Sequence, residues 1–140
     1  MRGLVKCPVY TTEDQERVRK AVGNVIISNE PSFETYDGLI ELKLSFEGRN
    51  DLEWLRNRIH ELRIIDAVRA RLRFNWNGLE TRISFDKQAA YHGRIKLLDD
   101  REELPPLGCI ELQLEFNNES EFEGFLRYFT PPTKEGRVVN

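Results

Sequence analysis

Long apolar runs are missing from this 140-residue chain: no stretch reaches the roughly eighteen consecutive apolar residues that a membrane-spanning helix needs. The opening MRGLVKCPVY is apolar over too short a span, and turns polar too soon, for a secretory signal, so a cytoplasmic location is expected. Cysteine is scarce. Cys7 and Cys109 lie far apart and outside any metal or redox motif, which reads as two small buried hydrophobes rather than a disulfide. His60 and His92 have no Cys, His or acidic partner at ligand spacing, which argues against a zinc centre. Neither a GxxxxGK loop nor a GxGxxG fingerprint occurs, so no nucleotide cradle of those kinds, no metal and no cofactor is expected.

The chain does have a globular balance, 39% hydrophobic and 32% charged. Its length suits one core, and the reading is a single α+β domain over residues 1–132 with a mobile polar tail over 133–140. The net charge of −3 is spread unevenly. Arg49, Arg56, Arg58, Arg63, Arg69, Arg71 and Arg73 outnumber Asp51, Glu53, Glu61 and Asp66, whereas from Asp99 to Glu123 nine acids face Arg101 alone. Two functionally distinct surfaces, or simply two solvated faces, would produce that pattern.

Periodicity supplies the elements. Leu4–Tyr10 alternates as a strand, Pro8 suggesting an edge. Thr12 with Gln15 fits a capping box for a helix carrying Val18, Ala21, Val22 and Val25, closed near Gly23-Asn24. Residues Ser32–Phe46 read as a hairpin about an Asp37-Gly38 turn. Asn50 with Glu53 opens a helix with the inner stripe Leu52, Leu55, Ile59 and Leu62, and a third helix buries Ile65, Val68 and Leu72. Strands follow at Thr81–Phe85, Arg94–Leu98 and Ile110–Phe116, then a helix with Phe122, Phe125, Leu126 and Phe129 inward, stopped by Pro131-Pro132. Strands grouped in this way predict an α+β fold, a mostly antiparallel or mixed sheet with helices packed on one face.

The segments PVYTTEDQERVRKAV, LRIIDAVRARL, FDKQAAYHGRIKLL and LRYFTPPTKEGR, in that order, resemble an archaeal family of conserved proteins often labelled predicted RNA-binding proteins. The matching positions include Thr12, Glu13 and Asp14, Asp66 and Ala67, and Lys87 to Ala90; the stretch VGNVIISNEPSFETYDG departs from the family pattern. The resemblance implies a fold similar to that of large-subunit ribosomal protein five, a cytoplasmic archaeal setting and RNA as partner. It carries no catalytic residue.

The residues themselves point the same way through the third helix. Arg69 and Arg73 stand four apart with only Asp66 near, and with Arg71 they form an outward patch suited to phosphate, because a guanidinium donates two parallel hydrogen bonds. Arg56 and Arg63 extend that basic stretch, although Glu53 at helical spacing would compensate Arg56. Trp54, about 120° from the buried stripe, is a candidate for stacking on a base, while Trp76 favours the core. Lys87 and Gln88 read as a turn that could touch a phosphate and a base edge. Two other classes stay open. An interaction module would dock a partner or a second copy through the acidic sheet end around Glu111–Glu123, and an enzyme would need Asp86, Lys87, Tyr91 and His92 to converge in a pocket. A non-catalytic RNA-binding domain is the expectation carried forward.

Overall fold

The computed structural model describes residues 1–27, 30–99, 105 and 107–139. Strand β1 (Arg2–Val9) leads into helix α1 (Gln15–Gly23) and the hairpin β2 (Ser32–Tyr36) and β3 (Leu39–Glu47). A 3₁₀ turn (Asn50–Leu52) then opens α2 (Glu53–Glu61), followed by α3 (Ile65–Asn75), β4 (Glu80–Asp86) and the short α4 (Lys87–Tyr91). Strand β5 (Cys109–Glu115), helix α5 (Glu119–Phe129) and a small hairpin, β6 (Thr133–Lys134) and β7 (Arg137–Val138), complete the order. The five long strands make one sheet, β2-β3-β1-β5-β4, antiparallel throughout. The α+β expectation holds.

Alternation decides which face of the sheet the helices cover. Val5, Cys7, Leu42, Leu44, Phe46, Ile83, Phe85, Ile110, Leu112 and Leu114 point inward and share one core with the helical stripes. Burial pushes the Cys7 thiol up to about 12, so it stays protonated and inert. The other face is an ion-paired surface in which Arg2 meets Glu115, Lys43 meets Glu34 and Arg82 meets Glu111. Glu111 and Glu115, read as part of an acidic docking end, are thereby compensated on the sheet itself. Gly3 lies opposite Phe46, and a Cβ there would fall 2.1 Å from the ring, so the ring occupies space that only glycine leaves. In the β2–β3 turn both Asp37 (φ 50°) and Gly38 (φ 76°) take positive φ, as a two-residue hairpin turn of the favoured hand requires.

Several local expectations are corrected. The cap of α1 is Asp14, whose carboxylate accepts from Glu16 N–H at 2.9 Å; the chain first turns at Tyr10–Glu13, which leaves Thr12 outside the helix. The strand expected over 94–98 shrinks to one bridge between Phe85 and Leu97, because the Arg94 N–H is committed to the Ala89 carbonyl in the turn after α4. Leu62 is 40% exposed: α2 ends at Glu61, and the left-handed Arg63 (φ 58°) redirects the chain. The polar tail carries the β6–β7 hairpin about Glu135 (φ 55°) and Gly136 (φ 78°), a pairing the sequence reading did not include, and its Thr133 hydroxyl donates to the Asp66 carboxylate. Ser28 and Asn29 of the irregular stretch, Asp100, Arg101, Glu102 and Glu103 of the acidic block, and Asn140 of the tail lie outside the described residues.

Candidate functional site

Helix α3 does place Arg69, Arg71 and Arg73 outside the Ile65, Val68 and Leu72 stripe, but each guanidinium is already engaged within the chain. Arg69 donates to the Thr130 carbonyl at 3.0 Å and to the Pro131 carbonyl, and meets Asp66 at 3.0 Å. Arg71 meets Asp99 at 2.7 Å. Arg73 forks onto both Glu123 oxygens at 2.8 and 3.1 Å. The hydrogen bonds from Arg73 hold the Glu123 carboxyl below its ordinary range, and the Arg73 guanidinium is pushed up in turn. Asp66 is lowered first by the Thr133 hydroxyl, then by Arg69. The expectation of a free phosphate patch on α3 is thus overturned: the basic and acidic blocks, separate in sequence, are folded onto each other.

A second use of cations appears where α5 ends. Its last carbonyls have no partner within the helix and carry the negative end of the helix dipole. Arg56 Nε donates to the Tyr128 carbonyl at 2.8 Å, His60 Nε2 lies 3.0 Å from the Phe129 carbonyl, and Arg69 takes the next two oxygens. A carbonyl only accepts, so the His60 proton must sit on Nε2. His60, expected on the outer side of its helix, is therefore a packing residue between α2 and α5.

Cations without a carboxylate in ion-pair contact lie at that same corner. Arg56 does not pair with Glu53; its guanidinium lies 4.7 Å from the Tyr128 ring centroid, with that of Arg49 at 4.9 Å. Terminal nitrogens of Arg127 and Arg49 come within 3.7 and 3.9 Å of the point where a Cβ on Gly124 would stand. Among the described residues none of these three arginines has a carboxylate in ion-pair contact; Glu123 feels Arg127 but gives both oxygens to Arg73. Arg49 and Arg127 were missed by the sequence reading as site residues. The available signal was Gly124, a glycine inside a helix where it costs about 1 kcal/mol relative to Ala and so marks a close approach.

The remaining candidates scatter. Trp54 is half-buried against the core, which removes it as an open stacking platform, and Trp76 stacks on Phe122 at 4.0 Å as a core plug. Arg63 is exposed, its side chain beside Gly136 of the C-terminal hairpin. Lys87, expected on a solvated turn, is 3% exposed because its ammonium is held by Glu13 at 2.9 Å and by the carbonyls of Pro8 and Leu107. Gln88 beside it is exposed and lines a groove between α1 and α4. Asp86 is committed as the cap of α4, accepting from Ala89 N–H, and does not line that groove, whereas Lys87, Tyr91 and His92 do. Among the described residues no group of three His, Cys, Asp or Glu gathers as a metal ligand set, and no helix is long and apolar enough to cross a membrane.

Comparison with known proteins adds family to geometry. A family model described as RNA binding matches residues 4–116. The UPF0201 protein of Aeropyrum pernix is 32% identical, the match covering 99% of this chain and 91% of that one. Its counterpart in Pyrobaculum neutrophilum is 36% identical over 93% of this chain and 89% of that protein. A UPF0200/UPF0201 protein of Archaeoglobus fulgidus is 29% identical, and there the chain spans 39% of the longer relative. The crystal structure of the UPF0201 protein from Methanococcus jannaschii matches over the whole of both chains with a TM-score of 0.81 at 23% identity, a likeness of fold.

Proposed function

The chain belongs to the UPF0201 family, and from that premise we propose that it is a non-catalytic RNA-binding domain whose phosphate contacts come from the α2–α5 corner rather than from α3. The observation that carries this reading is the convergence of Arg49, Arg56 and Arg127 on Tyr128 and Gly124 with no carboxylate in ion-pair contact among the described residues. Like charges held together cost Coulomb energy that a polyanion relieves, and guanidinium suits phosphate through its planar fork. The same planes, backed by a tyrosine ring, accept a stacked base, which is how unpaired RNA is commonly held. The family description of RNA binding supports the partner class.

Titration with single-stranded and structured RNA across a salt series tests the proposal. Three neutralised phosphates give a logarithmic salt slope of roughly 2 to 3. Reversal of Arg49 and Arg127 to Glu should collapse both affinity and slope; if both stay as in the parent protein, this corner is not the interface.

A further inference from the structure

Helix α1 distributes its cations unequally. Arg19 meets Glu30 at 2.6 Å and Glu16 at 3.7 Å, whereas Arg17 and Lys20 have no carboxylate in ion-pair contact among the described residues. Both instead stand over the half-buried Tyr91 ring, Lys20 Nζ at 4.9 Å and the Arg17 guanidinium at 5.6 Å from its centroid, with the His92 ring edge-on at 5.2 Å. Beside them runs a groove of about 560 Å³ whose walls include Thr12, Arg17, Gln88, Tyr91 and His92; Lys20 is not in the wall itself and reaches the site over the Tyr91 ring. That volume is in the range of small-ligand sites, and the groove shares no residue with the arginine corner.

Two acids also line this groove, and both are committed to the fold. Glu13 accepts from Lys87 at 2.9 Å and from Tyr10 N–H at 3.0 Å, and Asp14 caps α1. The buried Lys87 ammonium, saturated by three acceptors, makes that wall rigid before any ligand arrives. A larger cavity of about 640 Å³ lies between α3 and residues 95–99, but its walls are mainly apolar; of its three charged members, Arg71, Lys96 and Asp99, the first and last bind each other, and no side-chain amide lines it. Of these two, the first groove combines a cation without an ion-pair partner among the described residues, Arg17, with two aromatic rings and the exposed Gln88 amide.

The geometry points to the α1–α4 groove as a binding site for a nucleotide phosphomonoester: Arg17 and Lys20 hold the phosphate, Tyr91 and His92 face the base, and the Gln88 amide, both donor and acceptor, meets a base edge. A free mononucleotide and the phosphorylated terminus of an RNA offer the same chemistry. The site stands independently of the arginine corner.

Calorimetric titration of the full chain with adenosine monophosphate, adenosine, inorganic phosphate, and a pair of short RNAs differing only in a 5′-phosphate separates these sources. The monophosphate should bind, with adenosine and phosphate each weaker by at least about tenfold, and Arg17→Gln with Lys20→Gln should cost at least about tenfold while leaving the thermal melt unchanged. Reversal of Arg49 and Arg127 to Glu should leave monophosphate affinity as it was, so failure here and failure at the corner are distinguishable. Binding of both monophosphate and phosphorylated RNA supports a free-nucleotide site; binding of the phosphorylated RNA alone supports a terminus reader. If neither ligand distinguishes the parent from the double variant, or if adenosine binds as tightly as its monophosphate, the inference is overturned.

Discussion

Helix α3 carries arginines at 69, 71 and 73 and leaves none without a partner, whereas the α2–α5 corner draws Arg49, Arg56 and Arg127 from distant positions and supplies no carboxylate in ion-pair contact among the described residues. The denser cluster in sequence is the quieter one in space. Density of charge along a chain says little about free charge, because Coulomb attraction acts over the few ångströms that folding creates and is screened beyond about 8 to 10 Å. Arg69, Lys87 and His60 serve the fold; Arg49 and Arg127 contribute little to it and remain available.

That division can be broken experimentally, beginning where the largest change is expected. Lys87→Ala strands Glu13 and two carbonyls inside the protein, so stability measured by denaturant unfolding should fall by about 3 to 5 kcal/mol. Reversing Arg49 and Arg127 to Glu should weaken RNA binding by on the order of a hundredfold in a filter or fluorescence titration, with the melting temperature hardly altered. Arg69→Ala should show the converse: a loss of about 2 kcal/mol from unpaired helix-end carbonyls, and unchanged RNA affinity at temperatures where the variant stays folded. A fall in RNA affinity there without unfolding would blur the boundary between the two sets.

Smaller effects sharpen the contrast. Arg73→Ala breaks a half-exposed pair and should cost less than about 1 kcal/mol by thermal melt, with no effect on binding. Acidification probes the same pairs. Asp66 and Glu123 have folded values below their unfolded ones, so the stability they add is complete above the ordinary carboxylate range and is lost as pH falls through the lowered folded values. Unfolding followed against pH should show that loss on the acid side, and Arg73→Ala should reduce it by removing the partner of Glu123.

Much of the architecture was legible from local pattern. The alternations in β1, β3 and β5, the Asp37-Gly38 turn and the aromatic stripe of α5 needed nothing beyond their own neighbours. The C-terminal hairpin was equally local, since Glu135-Gly136 is a turn pair, but composition outweighed that signal in the reading of the tail. The site was much less legible. Arg56 sits at pairing distance from Glu53 by helical spacing and yet turns to the end of α5, because unsatisfied carbonyls carrying a dipole compete with an exposed carboxylate.

By itself the sequence determined where helices and strands form and which of their faces go inward, because periods of two and of 3.6 residues, turn pairs and caps act over a few positions. Only tertiary structure decided which cations stay free. The carboxylates that quench Arg71 and Arg73 arrive from 28 and 50 positions away, and the carbonyls that hold Arg69 from 61 and 62, brought there by the burial of the core rather than by attraction between the charges themselves.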